Sequence, residues 1–216
     1  MNSPAKKFFQ NTTAASNDLD QVERSHAQAN QYEIMLMQLA EHKRALKEIQ
    51  SREKKAELKA EILPDYVPYV DGVIESDIGI QDLVLMTIMV WRIDTGDLRG
   101  ALEIGKYALA HDLKTPEQYN RDTATLLAEE IAEYVIAQGE DSDVFELALI
   151  TEMETRTYDM PDQVRAKIHK AIGLSLASKN YDMAIEHLER ALELDKKSGV
   201  TKLVEKFKRD LKKAQA

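Results

Sequence analysis

Hydrophobic positions fall at helical spacing along most of this chain, and the exceptions mark its joints. From Tyr32 to about Leu63 they form a heptad-like seam: Tyr32, Leu39 and Leu46 stand seven apart, as do Met35, His42, Ile49 and Ala56. That spacing predicts one long, coiled-coil-like helix, its seam weakened by His42 and Glu53. The outer face is charged, with Lys43, Arg44, Lys47, Arg52, Lys54, Lys55 and Lys59 against Glu48, Glu53 and Glu57. Pro64 and Pro68 interrupt the pattern, since each lacks a backbone donor and fixes φ. Tyr66, Val67, Tyr69 and Val70 around them predict a packed corner. Leu83 to Ile93 is almost wholly apolar and predicts a buried helix. The turn Asp94-Thr95-Gly96-Asp97 ends it, and the helix after it carries Ala101, Gly105 and Ala108 on one face. Small residues so spaced let two helices approach closely, which predicts a helical hairpin.

The pattern continues to the C-terminal end. Arg121 to Gln138 reads as an amphipathic helix with Leu126, Leu127, Ile131, Val135 and Ile136 inward. A turn over Gly139 to Asp143 follows, then helix from Val144 to Arg156. Met160-Pro161-Asp162 opens the next helix, with Pro near its first turn. Ala166 to Asp195 reads as two helices joined near Lys179-Asn180-Tyr181-Asp182. In the second of these, Ala184, Leu188 and Ala191 lie 83 residues after Ala101, Gly105 and Ala108. Both hairpins resemble tetratricopeptide units, with Gly173 as a small first-helix residue. The expected fold is all-α, a long coiled-coil-like N-terminal helix followed by a helical body with two tetratricopeptide-like hairpins. Residues 1–31, rich in Asn, Ser, Thr, Ala and Gln, predict a flexible polar arm. Residues 32–63 form the charged helix, 64–159 a central helical domain, and 160–216 a C-terminal hairpin with a basic tail helix.

Charge sharpens this division. The net charge of -9 over 216 residues conceals a strong polarity. Residues 1–60 carry 10 Lys and Arg against 8 Asp and Glu, residues 61–160 carry 6 against 22, and residues 161–216 carry 13 against 8. An acidic total argues against polyanion binding over the whole surface but leaves room for a local basic site at either end. The chain has no Cys, which excludes disulfides, thiolate metal sites and a Cys nucleophile. Neither a secretory signal nor a membrane span is expected: the longest apolar run, Leu83 to Trp91, is broken by Thr87 and is too short. These features predict a soluble intracellular protein with no membrane partner.

Little in the chain suggests catalysis. Asp94 and Asp97 flank a hairpin glycine, where helix capping is the simpler reading. Asp141 and Asp143 sit in a predicted solvent-facing turn. No phosphate-binding loop is present, and His26, His42, His111, His169 and His187 lack metal-ligand spacing; His169 reads as a packing residue. No metal or cofactor is expected. Two basic segments compete as local polyanion contacts. One is the charged face from Lys43 to Lys59, which could equally be a solvated coiled-coil surface. The other runs from Lys196 to Lys213 and includes Lys202, Lys206, Lys208, Arg209, Lys212 and Lys213; its alternative is a frayed, solubilising terminal helix. Lys and Arg on successive turns can neutralise several phosphates and give salt-sensitive binding. No helix-turn-helix is evident before Tyr32, so phosphate contact is favoured over base readout. Tyr32, Met35, Leu39, Leu46 and Ile49 are candidates for self-association or packing. Tyr66, Tyr69 and Trp91 suit either the core or an oligomer contact.

Four stretches carry a family resemblance: YEIMLMQLAEHKRALKEI (Tyr32 to Ile49), LPDYVPYVDGV (Leu63 to Val73), MTIMVWRIDTGDLRGALEIGKYAL (Met86 to Leu109) and MPDQVRAKIHKAIGL (Met160 to Leu174). The chain resembles the small subunit of phage DNA-packaging terminase, of the type found in temperate contractile-tailed phages and also labelled the terminase endonuclease subunit. The resemblance implies recognition of the packaging start site on concatemeric viral DNA in the host cytoplasm. It also implies recruitment of a large subunit that holds the ATPase and nuclease, and assembly into a homo-oligomeric ring. Relatives can carry a longer, very basic C-terminal extension, which leaves the place of the DNA site open here. The competing expectation is a helical-repeat adaptor that binds only proteins; a third takes the endonuclease label literally.

Overall fold

The computed structural model describes residues 30–138, 142–177 and 179–214. The polar arm predicted over 1–31 lies almost wholly outside them, as does Gly139-Glu140-Asp141. Among the described residues every regular element is helical. The chain divides into two compact units, residues 1–55 and residues 56–216.

In the first unit, helix α1 covers residues 30–48. Its seam is as spaced: Leu39 and Leu46 are buried, and Tyr32, Met35, His42 and Ile49 are half-buried. The single long helix predicted to Leu63 is not found. Residues 49–51 leave the helix, and α2 (Arg52–Ile62) begins anew. Ser51 explains the break, because its Oγ accepts from the Lys54 N–H at 3.3 Å and its carbonyl from the Lys55 N–H at 3.1 Å. A serine that caps the next helix competes with continuation of the previous one. Ala56 therefore lies on a different helix from the rest of its seam.

The proline corner is tighter than predicted. A 3₁₀ turn (Leu63–Tyr66) leads directly into α3 (Val67–Ser76), with Pro64 and Pro68 each in the first turn of its element. There the missing N–H is harmless, so the prolines restart helix. Tyr66 is fully buried and meets Trp91 edge-on, with ring centroids 6.3 Å apart. Burial pushes its hydroxyl pKa up to about 12.

The predicted hairpin consists of α4 (Leu83–Thr95) and α5 (Leu98–Ala110), closed by Gly96 at φ 82°. It leads on to α6 (Thr123–Gln138) and α7 (Ser142–Thr155), then α8 (Asp162–Ser175), α9 (Tyr181–Leu194) and α10 (Thr201–Ala214). Helix α6 packs on α5, α7 and α8, α9 packs on α8, and α10 packs on α9. The two hairpins use their small residues differently. A Cβ on Gly105 would stand 2.5 Å from Leu127 Cδ1, so this glycine admits α6 rather than α4. A Cβ on Gly173 would stand 2.6 Å from Leu188 Cγ and 3.1 Å from the Ala184 carbonyl, so this one draws α9 against α8 within its own hairpin.

Candidate nucleic-acid interface

Helix α10 is sharply two-sided. Val204 and Phe207 are buried, and the Phe207 ring lies 5.3 Å from that of Tyr181 on α9. Anchored this way, the helix holds Lys202, Lys206, Arg209, Lys212 and Lys213 on its exposed side. Lys202, Lys206, Arg209 and Lys213 follow a four-three-four spacing, which makes one stripe about 16 Å long. Among the described residues none of these five makes an ion pair. Lys208 differs, since its ammonium meets the Glu189 carboxylate at 2.5 Å.

The other basic segment is dispersed by the break at 49–51. Arg44 and Lys47 are exposed on α1, and Arg52 and Lys54 are exposed at the start of α2. Lys43 and Lys55 are half-buried, and desolvation lowers the Lys43 pKa, helped by the neighbouring Lys47 charge. Lys59 is already engaged: its ammonium bonds Asp94 at 2.5 Å and lies 6.0 Å from the Trp91 ring centre. The aromatic candidates Tyr66, Tyr69 and Trp91 are all buried in the chain's own core.

The acidic pairs are structural where they are described. Asp97 caps α5 by accepting from the Gly100 N–H at 3.0 Å, and Asp94 holds Lys59. Asp141 and the side chain of Asp143 lie outside the described residues. A cleft of about 280 Å³ lies beside Asp94, Tyr119, Arg121 and Glu130, and its one arginine is already paired, Arg121 reaching Glu129 at 2.9 Å and Glu130 at 3.4 Å. His169 and His187 face each other Nδ1 to Nδ1 at 3.0 Å across α8 and α9. Their sequence separation of 18 gives no hint of the contact. Among the described residues no three His, Asp or Glu side chains are grouped so as to hold a metal ion. No helix among them is long and apolar enough to cross a membrane.

The family model described as "Phage small terminase subunit" matches residues 36–163. The chain belongs to the phage small terminase subunit family. It is also 43% identical over 219 residues to the "Terminase, endonuclease subunit" of Escherichia phage P2, covering 98% of this chain and 87% of that protein. No solved structure matches it. The family model spans α1 to the start of α8, so α10 is reached only by the P2 similarity. As a small terminase subunit the chain takes part in phage DNA packaging.

Proposed function

We propose that this small terminase subunit recognises viral concatemeric DNA at the packaging start site, and recruits and regulates the large ATPase and nuclease subunit. It does so as a homo-oligomeric ring and has no catalytic centre of its own. The observation that carries this reading is the stripe on α10, where an acidic protein holds Lys202, Lys206, Arg209 and Lys213 in line and unneutralised among the described residues. Such a stripe contacts phosphates and so sets affinity and register more than base sequence. Repetition around a ring multiplies these weak contacts through effective concentration. The acidic central helices repel DNA from the remaining surface and leave it for protein partners.

Electrophoretic shift with packaging-site and scrambled duplexes tests the reading on the assembled protein. The wild type should shift the packaging-site duplex at low salt. Lys206→Glu with Arg209→Glu should weaken binding by about tenfold or more and lower the salt slope by about two. No shift at low salt would leave the protein-only adaptor standing. Metal-dependent cleavage by the purified chain without the large subunit would move the endonuclease activity to this subunit.

A further inference from the structure

His169 of α8 and His187 of α9 bring two ligating nitrogens together. Their Nδ1 atoms stand 3.0 Å apart, and their ring centres 5.2 Å apart with the planes inclined by 38°. At neutral pH an ordinary histidine is mostly uncharged, the form that binds a metal ion. A zinc-like ion takes each imidazole nitrogen at about 2.0–2.1 Å, so two nitrogens on one tetrahedral ion lie about 3.3 Å apart. The pair is within about 0.3 Å of that bite, a gap that side-chain rotation closes without moving either helix. The backbones beneath are fixed, because Gly173 lets Leu188 of α9 seat directly against α8.

The approach is open and its surroundings are anionic. Both rings line a cleft of about 360 Å³, together with Asp182 and Glu186 of α9. Glu189 and Glu193 on the same cleft are spent on Lys208 and Arg190. Asp182 and Glu186 are exposed and make no ion pair among the described residues. Glu152 of α7 is buried, bonded by Arg156 at 2.7 and 3.1 Å, and its charge acts on both rings. Arg165 and Arg190 oppose it at His169. Protons balance without release: a neutral imidazole carries one proton on either nitrogen, so binding at both Nδ1 atoms places it on Nε2 of each ring.

We infer that His169 and His187 form a binding site for a late first-row divalent cation of the zinc, nickel, cobalt or copper type. Water fills its remaining positions, and Asp182 and Glu186 balance its charge across the cleft. Imidazole ligands select such ions, whereas magnesium and calcium prefer oxygen ligands. With two protein ligands in place of the four of a structural zinc site, the ion exchanges with solution. It clips α8 to α9, the pair on which α10 is seated through Phe207 and Tyr181. The inference goes beyond the DNA reading and does not depend on it.

Zinc chloride titrated into the untagged full chain at neutral pH tests the site. Nitrogen NMR of the histidine rings should show the Nδ1 resonances of His169 and His187 move with zinc and stay in place with magnesium. In calorimetry, His169→Gln and His187→Gln should each weaken zinc binding by about tenfold or more, at least the loss that follows removal of an outer-shell partner. His111→Gln should leave the affinity unchanged. Saturating zinc that leaves both Nδ1 resonances in place would show a hydrogen-bonded pair and nothing more, and the inference would fall. Zinc binding retained by both glutamine variants overturns it equally, since exposed carboxylates would then hold the ion. If a variant loses its helical circular dichroism, the wild-type resonances decide alone. DNA shift by the metal-free wild type is scored separately, so failure here leaves the α10 reading untouched.

Discussion

Asp82 ties α3 to α4 through a single carboxylate. Its Oδ1 accepts from the Leu85 N–H at 2.8 Å and caps α4, while its Oδ2 accepts from the Tyr69 hydroxyl. Burial raises its pKa and these hydrogen bonds oppose the rise. Asp82→Ala removes both the cap and a buried hydrogen bond, and should lower stability by about 2 kcal/mol. Asp82→Asn keeps an acceptor for the Leu85 N–H and should lower it less. Urea denaturation midpoints of the two variants check the order. At the same scale, His169 and His187 are held neutral. Burial, then the His187 ring beside it, lowers His169 to about 4 from an ordinary value of 6.5, against the opposing pull of Glu152. One Nδ1 must donate and the other accept, and an added proton places a charge at a half-buried site beside a second ring. The unfolded chain binds that proton more readily between about 4 and 6.5, so stability falls as pH drops through this window. The loss should reach roughly 2 kcal/mol once screening at the half-buried site is allowed for. Thermal melts across that window should show a shallower slope for His169→Gln; an unchanged slope would place the pH dependence elsewhere.

At the scale of elements, packing overrides intrinsic propensity. Alanine favours helix over glycine by about 1 kcal/mol, yet Gly173→Ala should destabilise by about 1–3 kcal/mol. The new Cβ would press on Leu188 Cγ at 2.6 Å and on the Ala184 carbonyl at 3.1 Å, and the backbone oxygen cannot move aside without shifting α9. Gly173→Ala melting at or above the wild type would show that α8 and α9 separate freely. The turn at Gly96, the helix opening at Asp162 and the small-residue positions in both hairpins were legible, because caps, breakers and periodicity are local signals. The break at 49–51 is hidden because a heptad seam spans it, although Ser51 is a local cap. Helix α3 is hidden for the opposite reason: two prolines signal an end, yet each sits in a first turn. The partner of Gly105 is not legible, since a small residue shows where an approach is permitted but not which helix makes it.

For the whole molecule, charge is sorted along the chain into basic ends and an acidic middle. That sorting is the physical basis of the proposed DNA contact on α10. Helical class, the absence of thiol chemistry, the charge polarity and membership of the small terminase family were all legible in the order of residues. Each is a sum over local composition or a long run of motif, and neither depends on how helices turn toward one another. The state of individual side chains was not legible. Lys59 looked like a DNA contact until it met Asp94, 35 residues away, and Lys208 until it met Glu189 on the adjoining helix. His169 and His187 became a pair only when α8 packed on α9. Helix packing chooses such partners through the rotation and spacing of whole elements, a cooperative outcome of many contacts distant in sequence. Composition thus established that the chain carries basic ends. Tertiary packing decided that Lys202, Lys206, Arg209 and Lys213 remain available on one of them.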